Sequence, residues 1–227
     1  VKPTATAQTT TQDATTQSSL NHTLQLPAAS TTVFTYYIAG SYQSEAAALA
    51  TYKKIQERST ELFQAKKERY EQLASQSKLS IPDESIAQAF EWLKYNSDWL
   101  VRRVPEVGTG ISAGIPDYPW WFGVDSEYAL KGLMAIGQTE TVYSSIRLLD
   151  SLSEATNGNG RIVHEVSTNG TVFNPGNINE TPQFASLIWE VYRWNGDRTF
   201  LETYYPSIKK GMHWLLTEKD TDQNLFP

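Results

Sequence analysis

Cysteine is absent from the 227 residues. Disulfide frameworks, thiolate nucleophiles and thiolate zinc sites are excluded with it, while the compartment stays open. Long apolar runs are missing as well. None approaches the ~20 residues that a membrane-crossing helix needs, so no membrane partner is expected. Basic runs stop at two residues (Lys53-Lys54, Lys66-Lys67, Arg102-Arg103, Lys209-Lys210), and the formal charge is −6. A nucleic-acid surface needs a basic stripe, and there is none. The three histidines, His22, His164 and His213, are too scattered for an evident zinc site, and no H-E-x-x-H occurs. Asp220-Thr221-Asp222-Gln223-Asn224 lacks the glycine and glutamate of a calcium loop. Neither a phosphate loop nor a dinucleotide fingerprint is present, so no metal and no cofactor is expected. No signal-peptide apolar region follows Val1-Lys2-Pro3; the chain reads as a mature form or a piece of something longer.

Aromatic residues, in contrast, are plentiful. They make up 12 % of the chain, with seven tryptophans, which is ample for a real core. Residues 1–20 are dominated by Thr, Ser, Gln and Ala, which suits either a flexible segment or a Thr-rich strand at a sheet edge. Leu20–Leu26 alternates imperfectly, and Val33–Ile38 is β-branched and aromatic, so both have strand composition. From Ser44, a plausible N-cap, the period becomes helical and continues to about Gln76, with a break expected near Ser59-Thr60. Pro82-Asp83 opens another helix. Its stripe of Ile86, Phe90, Leu93, Ser97, Leu100 and Val104 steps by four and three, and Pro105 and Gly108 end it.

Helical patterns follow at Ser126–Ile136, from Thr139 as N-cap, at Glu180–Trp194 before Gly196, and at Arg198–Lys219 with a reset at Pro206. Long connections alternate with short ones. That alternation gathers the long loops at one end of a helical array, where sites are built. The expected class is mainly α: an incomplete (α/α)6 toroid of about five barrel helices, preceded by a connecting helix and the last strands of a β-sandwich-like domain. The corresponding segments are 1–42 (end of a β-domain, or flexible), 43–78 (connecting helix) and 79–227 (N-terminal part of the barrel).

The densest stretch is Gly114–Tyr128, GIPDYPWWFGVDSEY, which sets five aromatic rings beside two aspartates. Flat apolar faces next to carboxylates suit a sugar ring. The stretch resembles the W-F-G-R-D loop of six-hairpin glycosidases, especially the bacterial amylo-α-1,6-glucosidase and glycogen-debranching group. Gly160–Glu165 (GRIVHE) is similar to that group's G-x-I-P-H-E segment, and Asn179–Phe184 (NETPQF) to its D-x-x-P-L-F helix opening. Tyr192–Asp197 (YRWNGD) looks like its Y-x-W-T-G-D close. The chain departs from the pattern at Val124 in place of arginine, Val163 in place of proline and Asn179 in place of aspartate.

The resemblance implies a hydrolase of α-glucosidic or related oligosaccharides, inverting, with two carboxylates. It implies subsite roles for Tyr118, Trp120, Trp121, Phe122, Asp125, His164, Glu165 and Asn179. It places both catalytic carboxylates beyond Pro227, so none is expected within the chain, and makes the rest of the barrel the chief partner besides an oligosaccharide or polysaccharide. Plainer structural roles stand beside these. Asp125 suits a helix cap, His164 a satisfied buried histidine, and one of the adjacent Trp120 and Trp121 a core residue. A non-catalytic carbohydrate-binding or scaffold protein is the rival reading, and a phosphorylase or polysaccharide lyase on a similar toroid is a third.

Overall fold

Threonine's branched β-carbon favours extended backbone, and the Thr-rich start is extended. In the computed structural model, which describes residues 4–12, 15–23 and 26–225, it forms strands β1 (Thr4–Gln12) and β2 (Thr15–Thr23). They pair antiparallel, Thr4 opposite Thr23 and Gln12 opposite Thr15. Of the two readings of residues 1–20, the described residues 4–12 and 15–20 are strand; residues 1–3 and 13–14 lie outside the described residues. The expected strand at Leu20–Leu26 crosses residues 24–25, which lie outside the described residues. Val33–Ile38 forms no strand despite its composition. Val33 and Ile38 are exposed, so the apolar composition is not matched by burial at the ends of the segment.

Helix α1 (Glu45–Ser75) begins where Ser44 Oγ accepts the Ala47 N–H at 3.1 Å. Arg58 leaves helical geometry (φ −116°, ψ 20°), one residue before the expected break. The chain forms two compact units, Val1–Phe63 and Gln64–Pro227, divided within this helix.

In the second unit, α2 (Glu84–Leu100) starts at Asp83, whose carboxylate accepts from the Ser85 and Ile86 N–H groups. Its orientation bears out the expected stripe in part: Phe90, Ser97 and Leu100 are half-buried, and Leu100 packs against the core, while Ile86 and Leu93 are not covered. The buried side chains are Lys94 and Asp98, while Ile86, Trp92, Leu93 and Trp99 are exposed. Lys94 Nζ donates to the Ala74 and Gln76 carbonyls at 3.0 and 2.8 Å, satisfying orphan acceptors at the end of α1. Asp98 pairs with Arg69. Polar anchoring to α1 thus shares the inward side of α2 with Phe90 and Leu100 of the apolar stripe.

The helix also stops short of Val104. β3 (Val101–Val104) pairs antiparallel with β4 (Gly108–Ile111), so Pro105 turns a hairpin and does not simply terminate a helix. β-Branched residues flanking a proline turn favour that outcome. β5 (Trp121–Phe122) then leads into α3 (Gly123–Ala135), and a short turn into α4 (Thr139–Thr156). The residue preceding α4 is Gln138, not the expected cap Thr139. β6 (Glu165–Val166) and β7 (Val172–Asn174), both between α4 and α5, complete a three-stranded antiparallel sheet with β5, in the order β5-β6-β7. α5 (Glu180–Asn195) ends on Gly196, which takes the left-handed φ of 66° that favours glycine. α6 (Arg198–Trp214) runs through Pro206 without the expected reset and finishes in a π-helical turn, Leu215–Lys219.

The described chain is thus mainly helical, with small antiparallel sheets. α3 packs on both α4 and α5, and α5 packs on α6. Leu130, Val142, Ile146, Leu149, Phe184, Leu187, Ile188 and Val191 fill the space between them. No described helix is long and apolar enough to cross a membrane.

Candidate functional site

The two long connections meet in the β5–β6 ladder. Trp121 lies opposite Val166 and Phe122 opposite Glu165. Gly123 N–H donates to the His164 carbonyl at 2.8 Å, just where β5 becomes α3. Glycine is needed at that point. A Cβ on Gly123 would lie 2.5 Å from the Val163 carbonyl oxygen and 2.8 Å from Glu180 Cγ. Sequence motifs some forty residues apart (WFG and IVHE) are therefore joined by backbone.

Alternation along a strand sends neighbouring side chains to opposite faces. Trp121 faces inward, 1 % exposed, and its indole N–H donates to the Gly110 carbonyl at 3.1 Å. It is a core residue with no face for a sugar, which corrects the expected subsite role. Trp120 is half-buried and stacks on Phe173, centroids 4.9 Å apart and planes within 7°. Phe122 meets the His164 ring edge-on at 5.7 Å, and the exposed Tyr118 meets Phe122 at 6.2 Å. Tyr118, Phe122 and His164 thus form a continuous row of rings, with Glu165 half-buried beside it on β6.

His164 is committed on one side. Its Nδ1 lies 2.7 Å from Glu180 Oε1, and Glu180 Oε2 accepts the Asn177 N–H at 2.7 Å. Glu180 is 1 % exposed and the His164 side chain 27 %, so the histidine bridges a buried carboxyl to the surface. Glu127, on α3, is fully enclosed, and neither of its oxygens has a hydrogen-bond partner among the described residues. Burial first, and then the charge of Glu180, push the Glu127 carboxyl up to about 9, against an opposing pull from Lys131.

Sequence reasoning missed both acids. Their signal was there: Glu127 sits three and seven residues before the buried Leu130 and Met134, and Glu180 four, seven and eight before Phe184, Leu187 and Ile188. A carboxylate in register with a buried stripe is itself informative.

Asp125 behaves differently. It lies in the first turn of α3, where a negative charge complements the helix dipole, but the helix has no side-chain cap and Asp125 makes no hydrogen bond or ion pair among the described residues. The capping role open to it in sequence is not taken. Its carboxylate borders an open hollow of about 340 Å³ together with Ser112, Ala113, Val124 and Tyr128. Tyr128, three residues on, shares its helix face; it stood in the aromatic stretch without a role.

Asn179 precedes α5 and makes no capping bond; it lines a separate hollow with Arg161 and Trp214. The eight sequence-predicted residues therefore divide among the Asp125 hollow, the Tyr118–Phe122–His164 row with Glu165, the Trp120–Phe173 stack, the Asn179 hollow and the core. No group of three or more His, Asp or Glu side chains is placed to hold a metal ion among the described residues. The chain matches no protein-family model and no curated protein sequence.

Proposed function

We propose that this chain is part of an inverting glycoside hydrolase of the α/α six-hairpin class, acting on α-glucosidic or related oligosaccharides and contributing subsite residues. The observation that carries the reading is the uncommitted Asp125 carboxylate at the mouth of the hollow it shares with Tyr128 and Ser112. An ionised carboxylate accepts hydrogen bonds from adjacent sugar hydroxyls, and charge-assisted bonds of this kind are about twice as strong as neutral ones. The Tyr128 ring and hydroxyl add an apolar face with a polar tip, which suits the mixed surface of a pyranose.

Glu127 and Glu180 do not fit the catalytic pair. Inversion needs two carboxyls about 6.5–9.5 Å apart with water between them, whereas these two are sealed inside the helices. The acid and base of the reaction are accordingly assigned to further helices of the same barrel. The exposed apolar face of α2, with Ile86, Trp92, Leu93 and Trp99, supports such a continuation, because faces of this kind are normally covered. The alternation of long connections (101–122, 157–179) with short ones (136–138, 196–197) supports the toroid.

The test is calorimetric titration of the chain with neutral α-linked gluco-oligosaccharides, comparing wild type with Asp125→Asn. Saturable binding weakened about tenfold or more in the variant is expected, one charge-assisted hydrogen bond being lost. Absence of binding by the wild type, or equal affinity in both, refutes the sugar contact. Turnover by the parent enzyme, lost when carboxylates at its further long loops are neutralised, separates a hydrolase from a non-catalytic binding protein.

A further inference from the structure

A second hollow, of about 420 Å³, opens between the 176–179 segment and the end of α6. Its chemistry differs from that of the Asp125 hollow because its charged side chains, Arg161 and Lys219, are cations. Both stand against one indole: the Arg161 guanidinium carbon and Lys219 Nζ each lie 5.4 Å from the Trp214 ring centroid. Trp214 is buried and forms the floor.

The fold builds this juxtaposition. Residues 214 and 219 would lie about 140° apart around an α-helix, whose turn takes 3.6 residues. The i→i+5 winding of the π turn Leu215–Lys219 brings Lys219 back to the side of Trp214. Arg161 is fixed from the other side. One terminal nitrogen of its guanidinium donates to the Gly176 carbonyl, while its Nε is enclosed and lacks a hydrogen-bond partner among the described residues. Gly176 can approach so closely because it has no side chain: with φ at 126°, a Cβ there would lie 2.1 Å from the Ile162 carbonyl oxygen. Asn177, Ile178 and the non-capping Asn179 complete the lining; the Asn177 amide nitrogen donates to Glu180 Oε1 at 3.4 Å, which leaves Asn179 as the amide open to a ligand. The neighbouring carboxylate, Glu180, is turned to His164 and the Asn177 N–H.

We propose that this hollow binds a phosphate group, as the free ion or as a sugar monoester. Two cations from separate elements, with the Asn179 amide lining the same hollow, match an anion whose oxygens diverge. A planar carboxylate would favour the paired edge of the guanidinium, and one terminal nitrogen of Arg161 is already engaged by Gly176. Nothing in the arrangement depends on the Asp125 hollow.

The test uses inorganic phosphate and glucose 6-phosphate, titrated separately into the 227-residue chain and followed by calorimetry. Lys219 is exposed, so Lys219→Ala leaves the core alone, and circular dichroism verifies the fold. Saturable binding is expected to weaken about tenfold in Lys219→Ala, to persist in Lys219→Arg, and to be unchanged in Lys209→Ala, whose side chain lies outside the hollow. Tighter binding of the ester identifies a sugar phosphate as the ligand; equal or tighter binding of the free ion identifies inorganic phosphate. No saturable binding of either probe, or binding indifferent to Lys219→Ala, overturns the proposal. Neutral-oligosaccharide affinity should be unaffected by Lys219→Ala, so failure here leaves the Asp125 reading standing, and the reverse.

Discussion

Glu127 is buried without a hydrogen-bond partner among the described residues, and Glu127→Gln isolates what its titration contributes to stability. The folded chain holds this carboxyl's proton up to a pH of about 9, whereas the unfolded chain releases it near 4.5. Between those values the folded state binds one proton more than the unfolded state, so stability falls as pH rises, by about 1.4 kcal/mol per unit. The stabilising contribution is complete below the unfolded value and is lost as pH climbs through the folded one. From pH 5.5 to 7.5 this amounts to ~2.7 kcal/mol, a large share of the 5–15 kcal/mol typical of a domain. Glutamine keeps the shape and removes the titration. It also buries an amide in place that offers no partner, at a cost of about 1–3 kcal/mol independent of pH. The informative quantity is therefore the pH dependence of the difference between variant and wild type, not its offset. Urea unfolding at pH 5, 6, 7 and 8, read from midpoints at constant slope, should show the variant gaining on the wild type by about 1.4 kcal/mol per pH unit. Parallel profiles would mean that Glu127 is charged or hydrated in the folded chain, and the reasoning from its enclosure would fail.

Two further perturbations bear on how the site is held. Gly123→Ala forces a methyl group against the Val163 carbonyl and Glu180, so a loss of about 1–3 kcal/mol is expected by thermal or urea unfolding; unchanged stability would show that β5 and β6 can separate freely. Asp98→Asn breaks the pairing with Arg69. Burial opposes the Asp98 charge, but Arg69's hydrogen bond and charge outweigh it and hold the carboxyl below its ordinary value. A lowered value adds stability above the unfolded pKa of about 3.9 that is lost as pH falls through the folded one. The variant should thus be less stable by about 1–3 kcal/mol at pH 7, discounted for the partly exposed Arg69, and the gap should narrow as pH falls below the unfolded value; a pH-independent gap contradicts the ion-pair account.

What the sequence made legible follows from which forces act locally. Ser44, Asp83 and Gly196 act through their own backbone neighbours, and the helix ends they mark are where the sequence placed them. The periodic stripe of α5 reports a period that one element carries alone, and Phe184, Leu187, Ile188 and Val191 are buried as a set. Elements whose outcome depends on a distant partner were read less well. α2 has the cleaner stripe, yet only Phe90, Ser97 and Leu100 of it are half-buried, while Lys94 finds the carbonyls at the end of α1 and Asp98 finds Arg69. Periodicity says that a helix has two faces, but not which of them a neighbour can satisfy. The same limit governs the candidate site. Adjacent residues on extended chain turn to opposite sides, so one of Trp120 and Trp121 is expected inward; that it is Trp121 depends on Gly110, whose carbonyl receives the indole and where an added Cβ would lie 3.1 Å from the ring. Asp125 and Glu127 stand two residues apart on one helix, and composition cannot separate them. Their surroundings give one an open hollow and the other an enclosed, proton-retaining position. Carboxylates in an aromatic-rich stretch are thus sorted by neighbours far along the chain, which is why the stretch alone does not separate the enclosed Trp121 and Glu127 from the open Asp125.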